Sequence, residues 1–380
     1  MIDARQTIRT ITRARQAALA VGGAGSVLLV AGWALNPALG ACSYLFASIF
    51  WLQIPVGCLA VSLLHVLVGG LWGRLLHPFV IPASATLPLF ALFFVPICLS
   101  LDHLFVWHAA SEVISDEKRL YLNQTAFFLR SGGYFLIWAL LSAMVVRWST
   151  RRVPGNTEES LNRRSRYAAI GLILLVLTAS FAAIDWLMSL EPQWFSSIYG
   201  GLFLVGAVLT AWCFVTALAG LWPTAERAAI ADPRQAFNDV GNLLLAFLMV
   251  WMYFAYSQFL IIWSGDLPEE TIWYQNRLIG GWQWFVPVIV LGHCAVPFLL
   301  LLSRDVKQTP NYLAAIAGGL LLMRVIELFW SIMPAFSPGR FYLHWLDVVA
   351  PFAVGGVWLA LFFQLLLKWV QRGFLLEDGT

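Results

Sequence analysis

Charge is scarce in this chain. Asp, Glu, Lys and Arg supply 11% of its 380 residues, against about 25% in ordinary soluble domains. Hydrophobic residues make up 60% and the mean hydropathy is +0.78. A solvated globular fold is thereby excluded. Cysteine is also sparse. The five cysteines, Cys42, Cys58, Cys98, Cys213 and Cys294, are scattered. None stands in a Cys-x-x-Cys or Cys-x-x-Cys-His motif. The chain therefore carries no sequence framework for disulfides, iron–sulfur clusters or c-type haem. A net charge of +3 is too small to point to nucleic acid. A b-type haem needs two facing histidines at one depth. His293 reads as central, His65 as inner, and His103, His108 and His344 as outer, so no pair is expected.

What the chain does have is length without charge. Ten apolar stretches reach about 20 residues, enough to span hydrocarbon. They lie at about 17–36, 42–67, 79–101, 123–147, 168–190, 194–221, 237–263, 281–302, 312–334 and 344–370. The expected fold is an all-α polytopic membrane protein, a single membrane domain over 1–380. Of the 23 Lys and Arg residues, 17 fall in one set of alternate loops and 4 in the other, while Arg130 and Arg324 lie within spans. The positive-inside rule then places both termini in the cytoplasm, and an even helix number agrees. Leu39-Gly40-Ala41-Cys42 has the look of a lipoprotein cleavage box. The preceding apolar run is too long for most signal peptides, so helix 1 reads as an uncleaved anchor. Prolines 82, 88 and 96 in helix 3 and 287 and 297 in helix 8 predict kinks.

The longest loops are 102–122 outside and 148–167 inside. The inner one, with Arg151, Arg152, Glu158 and Glu159, is a polar connector after helix 4 whose basic residues serve as a topology signal or touch anionic lipid. The outer one mixes Asp102, His103, Trp107, His108, Glu112, Asp116 and Glu117. Its histidine spacing fits no standard metal set. With Asp266, Glu269 and Glu270 it reads instead as an acidic docking surface for a partner.

The few ionisable residues inside spans are the candidates for function, because each is costly there. Arg324 and Glu327 lie one helical turn apart near the middle of helix 9, so they share a face and partly neutralise each other. His293 falls at the same depth, with Gln53 nearby. Arg130, Asp185, Gln258, His344 and Asp347 fall in the outer third, and His65, Asp239 and Asn242 in the inner third. Histidine titrates near physiological pH, and a carboxylate removed from water can accept and release protons. The set Asp185, His293, Arg324, Glu327, Asp347, Gln258, His65, Asp239 and Arg130 thus forms a plausible but interrupted proton path. Each member has a structural alternative: an ion pair fixing helix packing, a core histidine, a loop cap at Asp185, a headgroup contact at His65, a helix cap at Asp239. Two groupings are expected. His293, Arg324 and Glu327 should converge, and Asp185 and Asp347 should share an outer cluster with Gln258 and Arg130.

Several stretches are more specific than any of these. They are Phe181-Ala182-Ala183-Ile184-Asp185-Trp186-Leu187-Met188-Ser189-Leu190-Glu191-Pro192-Gln193-Trp194-Phe195-Ser196-Ser197-Ile198-Tyr199-Gly200, Gly241-Asn242-Leu243-Leu244-Leu245-Ala246-Phe247, continuing through Tyr256-Ser257-Gln258-Phe259 to Trp263-Ser264-Gly265-Asp266-Leu267-Pro268-Glu269-Glu270, and His344-Trp345-Leu346-Asp347. Over about residues 40–370 the chain resembles the F subunit of bacterial alternative complex III, a quinol:cytochrome c oxidoreductase, and through it the polysulfide-reductase type of membrane subunit. The resemblance implies two four-helix bundles, helices 2–5 (42–147 and 168–190) and helices 6–9 (194–334), flanked by helix 1 and by helix 10 (344–370). It implies a place in the bacterial cytoplasmic membrane beside a C-type membrane subunit, an iron–sulfur subunit, and multihaem and monohaem cytochromes. Haem c and iron–sulfur clusters would belong to those partners and none to this chain, whose own contribution would be a proton path, with quinone contacts allowed and no catalytic residue. Two other classes fit the residues alone: a proton-coupled secondary transporter, and a structural membrane anchor.

Overall fold

The computed structural model describes residues 4–109, 115–150, 158–222 and 230–377. Glu112, Arg227 and, in the polar connector after helix 4, residues 151–157 with Arg151 and Arg152 lie outside the described residues. Among those described, the chain is helical and without strands, and ten helices are long and apolar enough to cross a membrane. They are α1 (Gln6–Leu35), α2 (Pro37–Val68), α3 (Leu71–Cys98), α4 (Gln124–Ser149), α5 (Glu158–Leu190), α6 (Tyr199–Leu221), α7 (Pro233–Gly265), α8 (Trp282–Leu302), α9 (Pro310–Ala335) and α10 (Trp345–Gln371). This is a multi-pass membrane protein.

Several helices begin well before their apolar stretch. α5 starts at Glu158 rather than about 168, and α1 at Gln6 rather than about 17. The backbone ladder that makes a helix does not require apolar side chains; only the crossing does. Starts are set instead by local chemistry. The Asn36 side chain accepts from the Leu39 amide, with Pro37 in the first turn, and so opens α2 one residue after α1 ends. Asp232 accepts from the Gln235 amide, with Pro233 following, and opens α7. The cap is thus Asp232, not Asp239. Gly69 and Gly70, at φ +70° and +111°, make the turn between α2 and α3, a conformation that only glycine adopts without strain.

The proline-rich spans are interrupted as expected. α3 breaks into successive segments, with Pro88 and Pro96 each in the first turn of a new one. α8 contains a π-helical stretch, Ile289–Ala295, just before Pro297. Such bulges leave the regular hydrogen-bond ladder and are frequent at functional sites.

The termini of the span set lie on one face. α1 and α10 run antiparallel along their length: Arg15 bonds Gln364, Gly22 lies against Val357, Gly25 against Ala353, and Gly32 against Trp345. α10 also packs on α2 and α3. α2 contacts α3 and α5, and α4 contacts both α3 and α5. In the same manner α6 contacts α7 and α9, and α8 contacts both α7 and α9. The two sets meet where α2 crosses α6. There a Cβ on Gly57 would lie 2.1 Å from the Ala207 carbonyl oxygen, so only glycine permits the approach. The α2–α6 seam is therefore the centre of the molecule, and it places the main polar cluster.

Candidate functional site

Arg324 and Glu327 project from α9 toward that seam. Arg324 is 2% exposed and Glu327 7%. Arg324 Nη1 donates to Glu327 Oε2 at 2.6 Å. The guanidinium then reaches across both sets of helices: Nη2 donates to Gln53 Oε1 on α2 at 3.1 Å, and Nε to Thr210 Oγ1 on α6 at 3.1 Å. A Cβ on Gly206, one turn from Thr210, would fall 2.4 Å from Arg324 Nη2. That glycine makes room for the charge. The spacing in α9 alone predicted the ion pair; Gln53 was placed at the right depth, but Thr210 and Gly206 carry no sequence signal.

His293 joins this cluster indirectly. Its ring stacks on Trp251 of α7 with centroids 4.1 Å apart, and the Arg324 guanidinium carbon lies 5.5 Å from the Trp251 ring centre. Trp251 therefore stands between the imidazole and the ion pair. His293 is fully buried within the π-helical stretch of α8, and neither ring nitrogen has a protein partner. Gln53 Nε2 and Trp251 Nε1 are likewise buried without partners. Buried polar groups are ordinarily satisfied, so this centre has hydrogen-bonding capacity to spare.

From Glu327 a connected line leads toward the face opposite the termini. Ser331 Oγ donates to Glu327 Oε1 at 3.2 Å. The Ser331 carbonyl accepts from Arg277 Nη2 at 2.7 Å, and the same nitrogen lies 2.7 Å from Glu191 Oε2. Arg277 is 1% exposed, and its guanidinium carbon sits 3.7 Å over the Trp273 ring. In the sequence Arg277 stands out only as a loop charge. Its burial comes from the amphipathic helix Pro268–Arg277, which folds back over the ends of α5 and α9. Glu191 stands in one of the specific stretches noted above, which was the available signal. Tyr274, on the same short helix, is half-buried beside Gln258 of α7, and desolvation pushes its hydroxyl pKa up.

The expected outer cluster divides. Asp185, fully buried on α5, takes two parallel bonds from Arg130 of α4, Nε to Oδ2 and Nη2 to Oδ1, each 2.9 Å, and a third from Tyr134 at 2.7 Å. The guanidinium also lies 3.9 Å over the Tyr121 ring. Burial, and then the negative Asp185, push the Tyr121 hydroxyl pKa up. Asp347 engages other partners. Ser43 of α2 donates to it at 2.5 Å, and the His344 amide donates at 2.9 Å, so Asp347 closes the first turn of α10 and ties it to α2. Gln258 belongs with Tyr274. These are three separate contacts rather than one cluster.

On the face that carries the termini, Asp239 accepts from Gln235 at 2.8 Å, and buried Lys307 donates to Asn242 at 2.7 Å. His65 does not stand alone. It and His77 of α3 line one cavity of about 50 Å³ between α2, α3 and α4. A histidine pair at one depth therefore exists, but the space between its members is far too small for a porphyrin. Two grooves of about 570 and 510 Å³ lie on the far half of the molecule, one against α1, α2, α3 and α10, the other between α3 and α4. Both linings are mainly apolar, and the Tyr44 hydroxyl in the first is already donated to the Phe93 carbonyl. They suit acyl or isoprenoid chains better than a quinone ring.

No family model matches the chain, and no curated protein matches it.

Proposed function

We propose that this chain is a membrane subunit of a quinol:electron-acceptor oxidoreductase of the alternative complex III type, in a respiratory or photosynthetic chain of a bacterial cytoplasmic membrane, and that it carries protons. The observation that carries the reading is the Arg324–Glu327 pair at the junction of two helix sets, with unpartnered polar groups around it and a hydroxyl leading away. The sequence stretches that resemble the F subunit supply the class. Their polar members Asp185, Glu191, Asn242 and Asp347 all make contacts between segments distant in sequence, and Gln258 is buried beside Tyr274.

In this reading α2–α5 and α6–α9 are the two bundles, and the termini face the cytoplasm. Glu327 takes up and releases the proton. Arg324 offsets the charge left behind and is held in place by Gln53 and Thr210. The Ser331 hydroxyl is the next group outward. Arg277 fixes the Ser331 carbonyl and holds Glu191 as the exit carboxylate. Quinol supplies electrons to partner subunits, namely an iron–sulfur subunit beside a C-type membrane subunit, and multihaem and monohaem cytochromes. This chain orients and conducts protons and binds lipid along its exposed faces.

The test is purification of the tagged chain from its native membrane. The reading expects co-purifying iron–sulfur and multihaem subunits, a haem optical spectrum and quinol oxidation by the assembly. A chain isolated without redox partners that moves a small solute across vesicles would overturn it in favour of a transporter.

A further inference from the structure

Tyr253 and Tyr256 have no place in the proton path just described. Both project from α7 away from the helix bundle, 66% and 63% exposed. Neither hydroxyl has a hydrogen-bond partner among the described residues. Their depth makes this costly. Trp263, exposed at the end of α7, suits the headgroup boundary. Tyr253 lies about 15 Å inward of it along the helix, and Tyr256 about 10 Å. The hydrocarbon core is about 30 Å thick, so Tyr253 falls near its middle. Trp251, beside Arg324 of the central cluster, gives the same depth. Side chains on a helix tilt toward its N-terminus, so both hydroxyls lean away from the nearer headgroups.

Acyl chains offer no hydrogen-bond group at that depth, and water is absent there. The other outward faces avoid the problem. α1 turns Val27 and Val30 outward, α5 turns Ile173 and Leu177, and α8 turns Leu291 and Leu299. The other exposed tyrosines, Tyr167, Tyr312 and Tyr342, stand at the ends of apolar stretches or between them. Met249 and Leu260 extend the α7 pair into one exposed strip. Its steps of four, three and four residues match the seam of a left-handed helix pair. Any outer helix face shows that spacing; the two hydroxyls set this one apart. The strip runs about 16 Å along α7, the length of a helix contact rather than of a compact ring. Paired with its own twin about a two-fold axis, it would set tyrosine against tyrosine and hold the helices apart. A helix with small residues opposite the rings packs closer.

We propose that the α7 strip of Met249, Tyr253, Tyr256 and Leu260 receives a transmembrane helix of a partner subunit, one that presents hydrogen-bond acceptors at the depth of the two tyrosine hydroxyls. A Ser, Thr, Asn or Gln side chain serves as such an acceptor, as does a backbone carbonyl freed by proline. The inference needs the membrane crossing alone and does not rest on quinol oxidation.

The experiment places a photoreactive benzoylphenylalanine in place of Tyr253 or Tyr256 in the full chain, in its native membrane, and maps the cross-linked residues by mass spectrometry. Both positions should cross-link one co-purifying integral membrane polypeptide, within a single transmembrane segment of it. The same probe in place of Leu177 on α5 should not reach that segment. Tyr253→Phe/Tyr256→Phe keeps the shape of the strip and removes both hydroxyls. Retention of that polypeptide through detergent washing should then fall about three- to tenfold. Tyr312→Phe, at a span end, should leave retention unchanged. Cross-links to lipid alone, or to a second copy of this chain, overturn the proposal, as does undiminished retention in the double variant. The readout uses neither haem nor quinol turnover, so a failed redox assignment and a failed interface are told apart.

Discussion

Two buried ion pairs sit in the two helix sets and differ in how completely they are satisfied. Asp185 in α5 has both oxygens filled by Arg130 and Tyr134. Glu327 in α9 has one bond from Arg324 and a longer one from Ser331, and the groups around it include an imidazole with two idle nitrogens. A saturated pair has one stable arrangement, so it clamps α4 to α5. A pair with spare acceptors and donors beside it can gain or lose a proton without dismantling the helix contacts. On the proposed reading the same residue types serve packing in one place and chemistry in the other, and neighbours decide which.

That contrast can be broken by mutation. The largest effect on stability should come from Asp185→Ala, which leaves Arg130 without its carboxylate. Removing one partner of such a pair costs about 3–5 kcal/mol, so the thermal midpoint in detergent should fall sharply. A midpoint within a degree or two of wild type would mean that the clamp contributes little. Arg277→Gln should come next, because it removes charge-assisted bonds to Glu191 and the Ser331 carbonyl. The expected cost is about 1.5–3 kcal/mol, together with slower proton release by the assembled complex. His293→Phe should cost least, under about 1.5 kcal/mol, since the ring stack on Trp251 survives and no hydrogen bond is lost. Yet it should slow turnover if the imidazole serves the central cluster. A severe folding defect in this variant would show that His293 has partners the account does not include.

Much of the architecture was legible beforehand. Ten apolar runs and the prolines of α3 and α8 follow from composition alone. Arg324 and Glu327 declare themselves by a three-residue spacing in an otherwise uncharged helix. Helix starts were less legible, because apolar length marks where a helix enters the membrane, not where its hydrogen bonds begin. The Asp232 cap and the early start of α5 illustrate this. Contacts between distant segments were the least legible. Arg277 sits in a polar stretch that reads as a loop, and only the folding of its short helix onto α5 and α9 buries it. His77 lies nine residues beyond the end of α2 at Val68, and nothing in its own neighbourhood announces that a glycine turn brings it to the cavity that His65 also lines. Asp185 and Asp347 share a depth, but depth does not say which helix lies alongside.

The central claim is that the Arg324–Glu327 pair moves protons rather than merely fixing α9. The most direct measurement is proton release per quinol by the purified assembly in vesicles, comparing wild type with Glu327→Gln and with the charge-balanced Arg324→Gln/Glu327→Gln variant. The balanced variant leaves no lone buried charge, so assembly should persist. If the pair moves protons, subunit composition stays normal, electron transfer continues, and the protons released beyond those freed by quinol oxidation itself are lost. Full proton release from a normally assembled double variant would contradict it, and the pair would then be a packing device like Arg130–Asp185.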